Sequence, residues 1–274
     1  MEVTVRDQKL FQMLQNYALV PTSEIRKRIF DNIAKTTVLR RLRLLEEEKL
    51  IQKVVGSMSQ ELNWALTPKG AEVANLDLFK RNFPLGLRDH DQKLLKLRFL
   101  LEDIVIAKSW IAEHEIRSKI AKKYGLRSMK QRLIPDALVG VSMNDIMTSV
   151  ALELELNLKN KSRYFKTFDL YGQKSEIKFI WYVVSQKSHV RILFRYFDDY
   201  KFLTYGKTFL VSVLDDLMAS GVNSAIYTPK LVKMSEIMQA SISAHRVSSI
   251  TNDKNELQNP ATTENVAPIL ENTG

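Results

Sequence analysis

The chain contains no cysteine among its 274 residues. This absence excludes disulfide bonds, zinc sites built on thiolates and catalysis by a thiol, and it fits a reducing compartment. Long apolar runs are missing as well, since no stretch approaches the roughly 18 to 20 residues that a membrane-spanning helix needs. The first 20 residues carry four charged side chains and lack the apolar run of a secretory signal. We therefore expect a cytoplasmic protein that has no membrane partner.

Motifs for nucleotide and zinc chemistry are also missing. The chain has nine glycines, and none of them forms a phosphate-binding loop of the dinucleotide or Walker type. Its four histidines are not spaced as metal ligands, so we expect no zinc site. Nucleotide hydrolysis and zinc chemistry are therefore not predicted.

The chain is basic and long enough for two domains. Hydrophobic residues make up 45% of it, and 41 lysines and arginines against 31 acidic residues give a net charge of +10. Such an excess favours a polyanionic partner, of which nucleic acid is the commonest. Changes in composition and periodicity predict four regions, namely a helical domain with a hairpin over residues 1–84, a mixed domain over 88–230, a C-terminal helix over 231–246 and a disordered tail over 247–274.

Three short helices followed by a hairpin are predicted at the N-terminus. Thr22 and Ser23 are suited to cap a helix that runs to about residue 30, and a further helix spans 35–48. Two strands, 50–55 and 62–67, flank a polar turn at 56–60. A proline at a tolerated first-turn position then opens another helix at 68.

The helix over 35–48 has the pattern of a DNA recognition helix. Val38, Leu42 and Leu45 lie on one face, which packs inward, whereas hydroxyl and basic side chains lie largely away from it. Short hydroxyls and arginines are the side chains that reach base edges and phosphates. We predict that this outer set binds double-stranded DNA, with Arg40 on a base, Thr36 and Thr37 on bases or phosphates, and Arg41 and Arg43 on phosphates.

These 70 residues closely resemble winged-helix DNA-binding domains. The resemblance rests on the segment 36–46, on Leu50-Ile51 and on the segment 65–70, in that order. It implies a winged helix-turn-helix that grips DNA. A winged helix used for protein contacts is the alternative, and the acidic run Glu46-Glu47-Glu48 would suit it.

The second domain is predicted to be mixed α/β, so that the whole chain belongs to the α+β class. Strands are expected over 132–141, 149–158 and 176–185, with a helix between the last two. Pro135-Asp136 followed by Glu153 and Glu155 resembles the metal-dependent nuclease superfamily named for its Pro-Asp…Asp/Glu-x-Lys signature, which has a restriction-endonuclease-like fold.

This resemblance implies a magnesium site, with Asp136 and Glu155 as metal ligands, Glu153 as a further catalytic carboxylate and Lys161 as the assisting lysine. Hard cations prefer several oxygen ligands, and the metal would stabilise charge on the scissile phosphate. The sequence departs from the signature at the lysine position, which is Asn157 or Glu155. A nuclease-like scaffold without activity therefore remains an alternative, in which no cofactor is required for DNA binding.

The order of these features resembles the replication-relaxation family of plasmids and other mobile elements, which includes mobilisation accessory proteins. The winged helix carries the resemblance together with four short motifs, at 110–113, 135–137, 152–155 and 161–164. It implies sequence-selective DNA binding at an origin of replication or transfer, beside a relaxase or replication initiator. A magnesium-dependent endonuclease and a transcription regulator, with a homodimer as a further possibility, remain the alternatives.

Overall fold

The fold is that of a computed structural model. It describes residues 2–55, 61–77, 85–104, 107–125, 132–143 and 146–228, together with the single positions 83, 127, 129, 232 and 233. The chain divides into two compact units, the first comprising residues 1–103 and 110–138 and the second residues 104–109 and those from 139 onward. None of the helices in these described ranges is both long and apolar enough to cross a bilayer.

The first unit opens with a winged helix. Helices α1 (Val5–Tyr17), α2 (Thr22–Ile29) and α3 (Lys35–Glu47) are followed by strands β2 (Ile51–Val55) and β3 (Leu62–Leu66), and the short strand β1 (Val20–Pro21) precedes α2. The three strands form an antiparallel sheet in the order β1-β3-β2. The predicted wing is therefore confirmed at its two strands, whereas its turn at 56–60 lies outside the described residues.

The core of the winged helix lies between the three helices and the sheet. Val38, Leu42 and Leu45 of α3 are fully buried, which confirms the predicted inward face. They belong to one apolar cluster with residues of α1, α2, β2 and β3. Trp64 of β3 is also buried, and its indole N–H donates to the hydroxyl of Thr22 over 3.0 Å. This bond fixes the start of α2 on the sheet.

Two longer helices complete the first unit after the short helix α4 (Pro68–Val73). These are α5 (Leu85–Asp103) and α6 (Glu113–Tyr124), and the unit therefore extends beyond the boundary near residue 84 that the sequence predicts. Leu95 and Phe99 of α5 belong to the winged-helix core. Arg98 donates to the carbonyl of Asn16 over 2.8 Å and covers the ring of Tyr17 at 3.8 Å. Apolar packing and this arginine hold α5 against α1.

A five-stranded sheet follows, in the order β4-β5-β6-β7-β8. Its strands are β4 (Ala107–Ala112), β5 (Ala137–Met143), β6 (Ile146–Glu155), β7 (Phe179–Val184) and β8 (Thr208–Val213). Strands β6, β7 and β8 run parallel, with Val150 opposite Phe179 and Phe179 opposite Thr208. Parallel neighbours need crossover connections, and α7 (Lys161–Gly172) and α8 (Lys187–Asp199) provide them. Helices and mixed sheet give the α+β class.

Aromatic side chains fill the space between the crossover helices and the sheet. Phe168, Phe197 and Phe209 pack with ring centroids 3.8 to 5.5 Å apart. The chain then continues through helix α9 (Leu214–Ser220), a 3-10 turn (Gly221–Asn223) and the antiparallel strands β9 (Ala225–Ile226) and β10 (Val232–Lys233). The second unit is thus a layered α/β structure.

Several predicted elements begin or end elsewhere. Pro135 and Asp136 precede β5 rather than lying within it, and β6 ends at Glu155, so Leu156 and Leu158 follow the strand. Residues Val232–Lys233 form a strand inside the range predicted as the C-terminal helix. The rest of that helix, from 234 to 246, and the predicted tail over 247–274 lie outside the described residues.

Candidate nucleic-acid interface

The outer face of α3 is polar, basic and exposed. Its exposed side chains over the first two and a half turns are Lys35, Thr36, Thr37, Arg40 and Arg43. Within the described part of the chain, none of these five forms an ion pair or a side-chain hydrogen bond. The structure therefore leaves four of the five predicted DNA-contacting side chains available to a partner.

The first turn of α3 is uncapped and carries no acidic residue. Ala34 occupies the N-cap position, and among the residues that the structure describes no side chain accepts a hydrogen bond from the free N–H groups of this turn. Such groups and the positive end of the helix dipole favour an anion. Because Thr36 and Thr37 lie in the same turn, phosphate oxygens would find backbone and hydroxyl donors together.

Arg41, the fifth predicted residue, is placed differently. Its guanidinium contacts the carboxylate of Asp7, with Nε donating to Oδ1 over 3.0 Å and Nη2 contacting Oδ2. Nη2 also donates to the carbonyl of Glu2 over 3.0 Å. Asp7 is fully buried, and it caps α1 reciprocally with Thr4. Arg41 therefore joins α3 to α1, and the geometry favours a structural role over the predicted phosphate contact.

The charge on Asp7 is secured by its hydrogen bonds. Burial alone would raise the pKa of this carboxyl group, but the bonds from Arg41 and Thr4 outweigh burial and lower the pKa. The pair is thus ionised under ordinary conditions. This pair is not among the predictions from sequence. A threonine three residues before an aspartate is a signal by which the cap could have been found, whereas no local pattern links Asp7 to Arg41, 34 residues away.

Two open grooves flank the recognition helix. One, of about 690 Å³, lies at the turn between α2 and α3 and includes Arg26, Lys27 and Lys35 in its lining. The other, of about 330 Å³, lies on the α1 side and includes Arg6 and Arg40. Arg26 and Arg6 are exposed, and neither is among the predicted DNA-contacting residues. The basic surface is thus wider than α3 alone.

Two basic side chains of α2 are already engaged by an acid. Lys27 Nζ lies 3.2 Å from Asp103 Oδ2, and Arg28 Nη2 donates to Asp103 Oδ1 over 2.8 Å. Arg28 also stacks over the ring of Phe99 at 4.1 Å. These contacts hold α2 against α5, and they make both cations less available to DNA than Arg40 and Arg43.

Asp136, the predicted metal ligand, is paired with a histidine. Its Oδ2 lies 3.3 Å from Nε2 of His90 on α5, and the other ring nitrogen lies 3.9 Å from Asp91. Burial lowers the pKa of His90, but the two carboxylates outweigh it and raise the pKa to about 10. A protonated imidazole at this position already compensates the charge of Asp136.

The remaining predicted carboxylates lie on β6 of the second unit. Glu153 accepts a hydrogen bond from the hydroxyl of Tyr171 over 2.6 Å. Glu155 is buried, and Nζ of Lys159 lies 3.0 Å from its Oε2. Lys161, the predicted assisting lysine, instead pairs with Asp199 at 2.7 Å. The lysine beside the acidic strand is therefore Lys159.

Within the described ranges, no group of three or more histidine or acidic side chains is placed so that it could hold a metal ion. The residues of the chain supply pairs instead, namely His90 with Asp136 in the first unit and Lys159 with Glu155 in the second. Magnesium binding by Asp136 and Glu155 therefore stays a prediction.

Comparison with known proteins gives matches of low similarity among solved structures. No protein-family model and no curated protein matches the chain. Among solved structures, the zinc-responsive MarR family member ZitR of Lactococcus lactis is 17% identical, with a TM-score of 0.24, over 44% of this chain and 74% of its own. A ZitR variant in complex with DNA is 20% identical, with a TM-score of 0.23, over 44% and 72%. Scores this low carry no weight, so the winged-helix assignment rests on the order of the elements.

Proposed function

We propose that the chain binds double-stranded DNA sequence-selectively, with α3 in the major groove. The observation that carries the proposal is the separation of roles on α3. One face is buried in the core, Arg41 ties the helix to α1, and Arg40 and Arg43 remain exposed among hydroxyl side chains. A rigid helix that presents free arginines and hydroxyls is what direct readout of base edges requires.

We further propose that this binding serves the replication or mobilisation of a plasmid or another mobile element, beside a relaxase or replication initiator. Support comes from the sequence resemblance to the replication-relaxation family, which spans about residues 10 to 200. A transcription regulator would use the same helix and is distinguished by its target. Binding next to an origin supports the accessory role, whereas binding confined to a promoter supports regulation.

The first experiment is electrophoretic retardation of the DNA that flanks the coding sequence, in competition with unrelated duplex. We expect the parent protein to select its own DNA, and Arg40→Ala to lose much of that selection. Arg191→Ala is the matched control, because this exposed arginine lies on α8 in the second unit. It removes the same charge but leaves the recognition helix intact.

Two results would contradict the proposal. If the parent shows no preference among duplexes, sequence-selective binding is wrong. If Arg40→Ala and Arg191→Ala select the parent's site equally well, base contact does not come from Arg40.

A magnesium-dependent endonuclease is a second candidate, which the position of Lys159 favours. The strand itself lacks the lysine of the nuclease signature, but Lys159 reaches Glu155 from four residues further along the chain. A lysine beside a buried carboxylate is suited to assist an attacking water when a metal neutralises the phosphate.

Incubation with supercoiled DNA, with and without magnesium or manganese, tests this candidate. Nicking that depends on the metal and is lost in both Asp136→Ala and Lys159→Met would establish the enzyme. Retardation without nicking would assign these carboxylates to structure. Cleavage that survives Asp136→Ala would mean that other residues are responsible.

A further inference from the structure

An exposed aromatic surface lies on the second unit, away from the core that α7 and α8 cover. We name it the α7 aromatic surface and define it by Lys161, Phe165, Tyr200, Phe202 and Tyr205. Phe202 is 69% exposed and Tyr205 is 92% exposed, so both rings lie largely in solvent. Neither ring contributes to the core, and both are therefore available to a partner.

The turn that follows α8 packs against α7. The rings of Phe165 and Tyr200 lie 5.0 Å apart, edge to face. Further along, a Cβ on Gly172 at the end of α7 would lie 1.9 Å from the carbonyl oxygen of Leu203, so the turn rests directly on the helix. Phe202 lies in the chain between these two contacts. The exposed rings are therefore presented by a fixed segment.

Basic side chains lie beside these rings. The ammonium group of Lys161, which pairs with Asp199 at 2.7 Å, lies 5.3 Å from the ring centroid of Tyr200. Exposed lysines directly follow Phe165 in α7 and precede Phe202 in the turn, at positions 166 and 201. Over segments 159–175 and 195–207 the sequence carries eight basic and three acidic residues. A partner must therefore offer negative charge and flat apolar groups together.

Single-stranded nucleic acid has that combination, because its bases are unpaired and its backbone is anionic. Base stacking on aromatic side chains beside a basic groove is the usual mode of binding without sequence readout. A second copy of this chain would bring the same positive charge and is disfavoured. We propose that the α7 aromatic surface binds single-stranded DNA, with bases stacked on Phe202 and Tyr205 and phosphates near Lys166 and Lys201. The choice of DNA over RNA rests on the proposed function of the first unit.

The test measures binding of fluorescent oligothymidine of about 16 nucleotides by anisotropy, with the full chain. Phe202→Ala combined with Tyr205→Ala should weaken this binding about tenfold or more. Both side chains are largely exposed, so the fold should survive. Met218→Ala is the matched control, because it removes another exposed apolar side chain, on α9. Retardation of the flanking duplex is measured in parallel and should not change in either variant.

Three outcomes would overturn the inference: no oligothymidine binding by the parent, equal binding by parent and double variant, or tenfold tighter binding of oligouridine. Loss of a dimer in the double variant, seen by sedimentation with oligothymidine binding intact, would make this surface a self-interface. Failure of duplex binding alone would refute the winged-helix proposal and leave the result for the α7 aromatic surface standing.

Discussion

A residue outside the recognition helix helps to position it. Asp7 is fully buried and holds the guanidinium of Arg41, which is itself only partly exposed. Breaking a buried ion pair is costly, since it leaves one charge without its partner. Two arginines that are adjacent in the sequence, Arg40 and Arg41, therefore have different roles.

We predict that Asp7→Asn lowers the free energy of unfolding of the first unit by roughly 3 kcal/mol. Urea denaturation followed by tryptophan fluorescence, to which Trp64 and Trp110 of the first unit and Trp181 of the second contribute, measures the change. Asp77→Asn is the control, because Asp77 and its partner Lys122 are both 64% exposed and such surface pairs contribute under about 1 kcal/mol. Equal losses in the two variants would contradict the role of Asp7.

The lowered pKa of Asp7 also predicts a pH dependence. A carboxyl group whose pKa is lower in the folded state contributes stability that is present above its unfolded pKa of about 3.9. That contribution is lost as pH falls through the folded pKa. Unfolding of the parent should therefore become easier below about pH 4, and the Asp7→Asn variant should show a shallower acid dependence in the same denaturation series.

His90 offers a prediction of the opposite sign. Because its pKa is raised to about 10, the ring should stay protonated at pH 8, and its stabilising contribution should fade as pH rises from about 6.5 towards 10. Nitrogen chemical shifts of the imidazole report the charge directly, and His90→Gln identifies the signals. Asp136→Asn should lower the pKa of His90. A neutral His90 at pH 8 in the parent would contradict the pairing.

For single residues, the sequence predicts which side chains of a helix are exposed, but not which distant residues they pair with. The exposed arginines of α3 follow from helical periodicity, which places Arg40 and Arg43 opposite Val38, Leu42 and Leu45. The engagement of Arg41 does not, because Asp7 lies 34 residues earlier and only folding brings the two together. The resemblance likewise implies Lys161 as the assisting lysine, whereas in the structure Lys159 lies beside Glu155 and Lys161 pairs with Asp199.

Among the elements, the position of the short helix α4 depends on its close approach to Leu50, the residue before the first strand of the wing. A Cβ on Gly70 would lie 2.0 Å from the carbonyl oxygen of Leu50 and 2.9 Å from Cδ1 of Leu66. The backbone N–H of the capping residue Thr67 donates to the same carbonyl over 3.2 Å, and its hydroxyl lies 2.6 Å from the carbonyl oxygen of Lys49. The start of α4 is thus fixed to the start of the wing.

We predict that Gly70→Ala destabilises the first unit by about 1 to 3 kcal/mol, since backbone atoms must move to admit the methyl group. Thermal unfolding monitored by circular dichroism measures it. Val73→Ala on the same helix is the control, because its side chain is 45% exposed and the cost should stay within about 0.5 kcal/mol. Full stability of Gly70→Ala would mean that α4 is free to shift.

The elements differ in how well their sequences define them. Helix α3 is predicted over 35–48 and observed over Lys35–Glu47, because a long amphipathic repeat sets both ends. Strand β6 is predicted over 149–158 but ends at Glu155, although the alternation of leucines continues to Leu158. Alternation of apolar and polar residues indicates which face of the sheet a side chain lies on. The end of β6 depends instead on where the neighbouring strand β7 stops pairing with it.

The whole molecule is predicted to bind DNA with a strong dependence on salt. Each phosphate that a basic side chain neutralises adds about one unit to the slope of log affinity against log salt concentration. Arg43 is predicted to contact a phosphate, so replacing it by alanine should reduce the slope by about 1. Anisotropy titrations across a salt series measure it. Replacing Arg191 on α8 by alanine removes equal charge and should leave the slope nearly unchanged.

The division of the chain into two compact units is the feature of the fold that the sequence predicts least well. Proline and glycine near residue 84 indicated a boundary, yet α5 and α6 belong to the same compact unit as the winged helix. The reason is packing at a distance, since Leu95 and Phe99 enter the winged-helix core and Arg98 covers Tyr17. A break in helical periodicity shows that a helix starts anew, but not which core it joins.

The uneven charge along α3 has a consequence for kinetics. Basic and hydroxyl side chains occupy its first turns, and Glu46, Glu47 and Glu48 follow at its end. A polyanion attracts one end of such a helix and repels the other, which exerts a torque on the approaching molecule before any contact forms. Collisions in which the basic end of α3 faces the DNA would thus be favoured. The acidic run would raise the rate of productive association without stabilising the bound complex.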